Sequence, residues 1–354
     1  MIRALALTFL LACGLAAHAA NSCVVLQYHH IADDTPAITS VTISQFQAHL
    51  DYLKAQQFDV MPLRTVVSAL QNSQPLPDKC VSLTVDDAYL SIYRNAYPLL
   101  KKLGWPMTVF VNTESVDKRV GSYMNWDQMR EMAEHDFVFE NHGHGHIHMI
   151  RKKKHESIQA WRERIVNDIQ TAQSRITLEL GDAPRLFAHP YGEYNPEIVD
   201  IISAMGLTGF GQQSGPVWPG GNFGALPRFP MNVHYANMQS FITRVNTLPL
   251  PVVNAKPEDP LVSLGNWRPV LVLTLASDSY SKDSLQCFVA GSNNVEMTWS
   301  EVSADQVTIT PKFDLKSGRS RTNCTMPSGR GGRYHWYSHN WFVRRADGSW
   351  YPEY

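Results

Sequence analysis

The chain has 354 residues, 44% of them hydrophobic, which is enough for two packed domains. Its 31 Lys and Arg nearly balance 32 Asp and Glu, leaving a formal net charge of −1, so recognition of nucleic acid through bulk charge is excluded. Neutral ligands such as sugars stay open.

Residues 1–20 read as a signal peptide: Arg3 supplies the positive start, residues 4–17 are apolar, and Ala17-His18-Ala19 fits a small-x-small cleavage site. The apolar run is too short for a membrane span. A lipid anchor at Cys13 ranks second, because Leu10-Leu11-Ala12-Cys13 fits an attachment box only loosely. Either way an exported chain is expected, periplasmic or secreted, acting as a monomer. Cys23, Cys80, Cys287 and Cys324 then remain, an even number suited to an oxidising compartment and divisible into one pair per domain.

Residues 23–30 form an apolar strand ending in polar residues, and residues 81–86 a β-branched strand that drives into Asp86 and Asp87. Cys23 stands six positions before His29, as Cys80 does before Asp86. As parallel neighbours about 4.8 Å apart, the strands would bring the cysteines within disulfide reach at one end and His29 beside Asp86 at the other. Between them, Thr42-Ile43-Ser44-Gln45 is a capping box for a helix carrying Phe46, Leu50 and Leu53. Further on, residues 92–103 read as a helix closed by Gly104, 107–111 as a strand, 126–132 as a short helix, and 137–139 as a strand leading to a histidine cluster at 142–148. A basic run at 151–154 opens a long helix. Residues 186–188 form a strand running into His189-Pro190-Tyr191-Gly192, and Asn195-Pro196 caps the next helix. This alternation over residues 21–248 predicts an α/β barrel or doubly wound sheet.

Residues 249–260 read as a proline-rich linker. Beyond it, short strands at 270–275, 286–289, 295–299, 307–309 and 334–343 predict a small all-β sandwich over 261–354. Tyr334, Trp336, Tyr337, Trp341, Trp350 and Tyr351 make its end aromatic-rich. The preferred reading places these rings in the core; the alternative is a carbohydrate-binding domain whose exposed rings stack on sugars.

Two adjacent carboxylates at a strand end are costly unless a cation or a proton shares the space. His142 and His146, four apart, can join Asp87 in a three-ligand set for a divalent metal, Zn2+ first, with Co2+ or Ni2+ as alternatives. Asp86, beside the ligand, is then placed as a general base.

Thr84-Val85-Asp86-Asp87-Ala88 resembles the T-F-D-D-G motif, and residues 142–146 the H-T-x-x-H motif, of the polysaccharide deacetylases (NodB-homology, carbohydrate esterase family 4). The resemblance spans about residues 24–245. It implies a distorted (β/α) barrel and metal-dependent removal of acetyl groups, with Asp86 as base and Asp87, His142 and His146 on the metal. Residues 188–192 resemble the third motif, R-x-P-Y-G, which implies that the Tyr191 backbone N–H helps hold an oxyanion. Ala188 stands where that motif has its arginine, and Arg228 is the candidate replacement, against the alternative of an ordinary surface arginine. The family's late L-x-L-H motif, which carries the general acid, is absent. His29 is the candidate acid in its place, with His144 and His148 as outside choices and His30 as a structural residue. The N-terminal strand, the A-H-P-Y-G-E-Y form and the leader look like the exported poly-β-1,6-N-acetylglucosamine N-deacetylase subgroup. The expected function is therefore release of acetate from N-acetylglucosamine units of an extracellular polysaccharide. An O-acetyl polysaccharide esterase and a non-catalytic polysaccharide-binding protein are the alternatives.

Overall fold

The structure, a computed structural model, describes residues 21–276 and 282–352; the expected leader, with Cys13, lies outside them. The first unit is built on eight parallel strands: β1 (Val24–Tyr28), β2 (Asp59–Val60), β3 (Cys80–Asp86), β4 (Met107–Val111), β5 (Phe137–Asn141), β6 (Leu186–Ala188), β7 (Thr208–Phe210) and β8 (Phe229–Pro230). Their order is β8-β1-β3-β4-β5-β6-β7, with β2 also paired to β3. Parallel strands covered on both faces read as unbroken apolar runs, and all of β3 is buried. Leu226 pairs with Phe210 while Phe229 and Pro230 pair with Leu26 and Gln27, so residues 226–230 close the sheet on itself. The result is a distorted (β/α) barrel.

β1 and β3 run in register from Val24 opposite Val81 to Tyr28 opposite Val85. The same offset sets Cys23 against Cys80, which are disulfide-bonded with Cα atoms 4.7 Å apart. Continued one residue past its last pair, the same register sets His29 level with Asp86. The capping box at Thr42 and Gln45 starts the helix Ile43–Ala55. The long helix departs from expectation: it runs Ile158–Leu180, because Ser157 accepts the Ala160 N–H, and residues 151–154 precede it. Serine can satisfy a first-turn N–H; basic side chains carry no acceptor for it.

The second unit has two four-stranded sheets. Its strands are β9 (Leu248–Pro249), β10 (Val252–Lys256), β11 (Leu271–Leu275), β12 (Gln286–Val289), β13 (Val295–Trp299), β14 (Gln306–Pro311), β15 (Gly318–Pro327) and β16 (Tyr334–Val343). The sheets are ordered β9-β16-β15-β12 and β10-β11-β14-β13. Leu271, Leu273, Val307 and Ile309 of one sheet pack with Cys324, Met326, Trp341 and Val343 of the other. The Cys287–Cys324 disulfide joins neighbouring strands of one sheet.

Two expectations need correction here. The stretch 249–260 is not a linker: within it, β10 pairs antiparallel with β11 at the edge of its sheet, where flanking prolines are tolerated. The central strand β15 has no counterpart among the expected strands. It turns Thr322, Cys324 and Met326 into the core, while Arg321 on its other face donates to Gln212 O and Ser214 Oγ of the barrel, both at 3.2 Å.

The two units share a large interface. Phe342 packs in a cluster with Trp161, Ile165, Phe187 and Ile202. Asn340 Nδ2 donates to Gln213 Oε1 at 3.1 Å, and Arg333 Nη1 reaches both carboxylate oxygens of Asp78 at 2.8 and 2.9 Å. The C-terminal aromatics mostly serve packing: Trp341 lies in the sandwich core, Tyr351 is buried, and Trp336 meets Phe229 of the barrel edge-on at 5.4 Å. Tyr334 is exposed. Tyr334→Ala is expected to leave oligosaccharide affinity within about twofold, as for most surface substitutions. A calorimetric loss of about tenfold, the worth of a good ring stack, would restore the sugar-platform reading. Among the described residues no helix is long and apolar enough to cross a membrane.

Candidate active site

Asp86 ends β3, fully buried. Arg228 Nη1 and Nη2 donate to its Oδ1 and Oδ2 at 2.7 and 2.8 Å, and Gln27 Nε2 donates to Oδ2 at 2.6 Å. Arg228 is itself 0% exposed, anchored by Nε to Gly211 O at 3.0 Å, so it is no surface arginine. It comes from the segment that closes the barrel. Burial alone would raise the Asp86 carboxyl, but the Arg228 guanidinium outweighs it and holds the group well below the usual carboxylate range. The strand therefore ends in an ionised carboxylate.

The next residue faces elsewhere. Asp87 has φ 71° and Ala88 φ 59°, a left-handed pair that is costly for residues with a Cβ. This is the turn for which the T-F-D-D-G motif has glycine; Ala88 makes it with the smallest side chain that carries a Cβ. The turn directs Asp87 Oδ1 to 3.6 Å from His142 Nε2 and 3.4 Å from His146 Nε2. One ligand atom from each of the three residues lies within 4.8 Å of the others. Asn112 Nδ2, at 3.4 Å, and the Tyr89 hydroxyl also donate to Asp87. Burial pushes Asp87 up to about 6 and His142 down to about 3. His142 is thus a neutral imidazole whose Nδ1 donates to Ala188 O at 2.8 Å, which leaves Nε2 turned to the cluster. A carboxylate destabilised by burial beside a neutral, oriented imidazole is a donor set that fits a divalent cation.

The loop carrying the histidines is pinned by Asp168, whose carboxylate accepts from His144 N at 3.0 Å and Gly145 N at 2.9 Å. Gly143 is required there: its φ is +76°, and a Cβ would fall 2.6 Å from Asp168 Oδ2.

The remaining candidates divide. His29 directly follows β1, in the neighbourhood of both Asp86 and Asp87. His30 instead stacks on Tyr89, ring centroids 3.7 Å apart. His144 turns away to Thr113 Oγ1 at 2.8 Å, and His148 to Glu193 Oε2 at 2.8 Å. Tyr191 sits in the turn Pro190–Gly192 with φ 59°, its ring 4.5 Å from His146. The sequence reading missed Gln27, Asn112, Asp168 and Glu193. Gln27 had a signal, since a polar residue inside an apolar strand and two positions from His29 is informative. Asp168, in mid-helix, had none.

Residues 73–210 match the polysaccharide deacetylase family model. The poly-β-1,6-N-acetyl-D-glucosamine N-deacetylase of Staphylococcus aureus is 28% identical over 196 residues, covering 53% of this chain and 67% of that one. Bacillus subtilis YxkH is 26% identical over 184 residues, and the match takes in 61% of its length, somewhat less than two thirds. Among solved structures, IcaB from Ammonifex degensii aligns with TM-score 0.55 at 25% identity, over 64% of this chain and 96% of that one. Streptococcus pyogenes PplD, at 22% identity, shares the fold with TM-score 0.57 over 63% of this chain and 98% of its own. With the family match spanning both the paired aspartates and the histidine cluster, the chain carries a polysaccharide deacetylase domain.

Proposed function

We propose that this protein is an exported, metal-dependent N-deacetylase that releases acetate from N-acetylglucosamine units of an extracellular polysaccharide. One observation carries the reading: the end of β3 splits its two carboxylates, Asp86 clamped by Arg228 and Asp87 turned to His142 and His146. The name of the Staphylococcus aureus relative supports a β-1,6-linked polymer as substrate.

Asp87, His142 and His146 would hold the cation, Zn2+ first by donor type. When bound, it supplies Lewis-acid polarisation of a carbonyl and lowers the pKa of water. Asp86 is the general base that takes a proton from the attacking water, with Arg228 and Gln27 fixing its position. The backbone N–H of Tyr191 stabilises the oxyanion. His29, level with Asp86, protonates the departing sugar amine. The amide C–N bond breaks, the water oxygen stays on the acetyl carbon, and acetate and a free amine leave.

Acetate release from β-1,6 and β-1,4 N-acetylglucosamine oligomers and from acetylated xylan, with chelator and Zn2+ add-back, tests this. The β-1,6 oligomers are expected to react, chelation to cut the rate at least about tenfold, and Zn2+ to restore it. Release from xylan alone would favour the O-acetyl esterase. Polymer binding without any release would favour a non-catalytic binder.

A further inference from the structure

Tyr191 is held in a backbone conformation that a residue with a side chain keeps only where its surroundings enforce it. Its ring stacks on His148 with centroids 3.7 Å apart and planes 11° from parallel, and lies 4.5 Å from the ring of the candidate metal ligand His146. His148 is oriented in turn by Glu193, whose Oε2 accepts from Nδ1 at 2.8 Å. Glu193 is 0% exposed. A buried carboxylate needs several donors, and the barrel supplies only part of them, His148 and Arg151 Nη2 at 3.2 Å. The others come from the second unit. Tyr351 OH donates to Glu193 Oε1 at 2.6 Å, and Arg319 Nη1 of β15 stands 3.5 Å from the same oxygen. The Arg319 guanidinium also lies over the Tyr191 ring, 5.6 Å from its centroid.

We infer that Glu193 is a positioning residue, that Tyr351 and Arg319 of the sandwich hold it in place, and that through His148 it sets Tyr191 against the metal ligands. The sandwich is thus a working part of the active site. The role rests on the assignment of Tyr191 to the oxyanion in the proposed reaction. Outer contacts of this kind govern both ligand orientation and the placement of catalytic groups, where displacements of about 1 Å are costly.

The test uses the full-length chain with Tyr351→Phe, Glu193→Gln and the sandwich-core control Ile309→Val. Tyr351→Phe removes one hydroxyl and keeps the buried ring. Glu193→Gln presents an N–H where His148 already donates, or forces the imidazole to reverse its proton. Expected are kcat losses of about tenfold and about a hundredfold, respectively, with KM within about twofold. Zn2+ affinity by calorimetry, a readout that needs no turnover, is expected to fall about tenfold in Glu193→Gln. Ile309→Val should lower the melting temperature and leave kcat unchanged. Should Glu193→Gln fail to fold, Tyr351→Phe carries the test alone. The inference is overturned if kcat and Zn2+ affinity stay within about twofold of wild type, or if Ile309→Val loses kcat to the same extent. A wild type that binds Zn2+ without releasing acetate defeats the functional reading only, and the Zn2+ comparison still decides the positioning. A wild type that does neither overturns both.

Discussion

Asp86→Asn is expected to slow acetate release by about 10^3-fold, within the range that a positioned general base contributes. Asparagine keeps the shape of the side chain and can still accept one hydrogen bond from Arg228, but it cannot take a proton from water. The change leaves Asp87, His142 and His146 untouched, so metal loading should persist and is measured separately by calorimetry. Because the variant also leaves the buried Arg228 without a counter-ion, the kinetics belong well below its melting temperature. A folded, Zn2+-loaded Asp86→Asn chain within about tenfold of the wild-type rate would remove Asp86 from the mechanism.

Arg228→Ala should be the most damaging single change to stability at the site. It removes both N–H bonds to Asp86 and leaves a fully buried carboxylate with Gln27 as its remaining close donor. Breaking a buried pair from one side costs about 3–5 kcal/mol, or on the order of 10 °C in melting temperature. Activity should fall with it, since burial without Arg228 favours the protonated acid, which is the wrong form for a base. Arg228→Lys keeps the charge but loses the planar fork, so an intermediate result is expected. A melting temperature within about 2 °C of wild type for Arg228→Ala would mean that the pair stabilises nothing.

These two residues also mark how far the sequence could be read. Asp86 was legible because its strand, its neighbour and the histidine cluster each follow a local rule: an apolar run, a like-charge pair, a ligand spacing. The register of β1 against β3 was legible because equal spacings from Cys23 and Cys80 turn a disulfide into a ruler, and the register observed is the one those spacings require. The contact between Arg228 and Asp86 spans 142 positions, and nothing near Arg228 distinguishes it from a surface cation until the closing segment is in place. Glu193 depends on Tyr351, 158 positions away, for the same reason.

The second unit was harder to read. Its core strands alternate and were found, but β15 reads Gly-Arg-Ser-Arg-Thr-Asn-Cys-Thr-Met-Pro, with polar residues at most positions. That polarity is not a loop signature. Arg319 and Arg321 on the outer face of the strand meet Glu193, Gln212 and Ser214 of the barrel, and a one-chain hydropathy pattern does not distinguish such partners from water. The prolines around β10 misled in the opposite way, since an edge strand needs only one row of hydrogen bonds.

Arg228 lies between Leu226, which pairs with β7, and Phe229, which pairs with β1. The cation that keeps Asp86 charged is thus carried by the segment that closes the sheet, the last of its strands in chain order. Without that segment in place, Asp86 would be an acid lacking its counter-charge. The proposed base is therefore complete only in the closed barrel: an open sheet would carry Asp86 without the charge state that the proposed reaction needs of it.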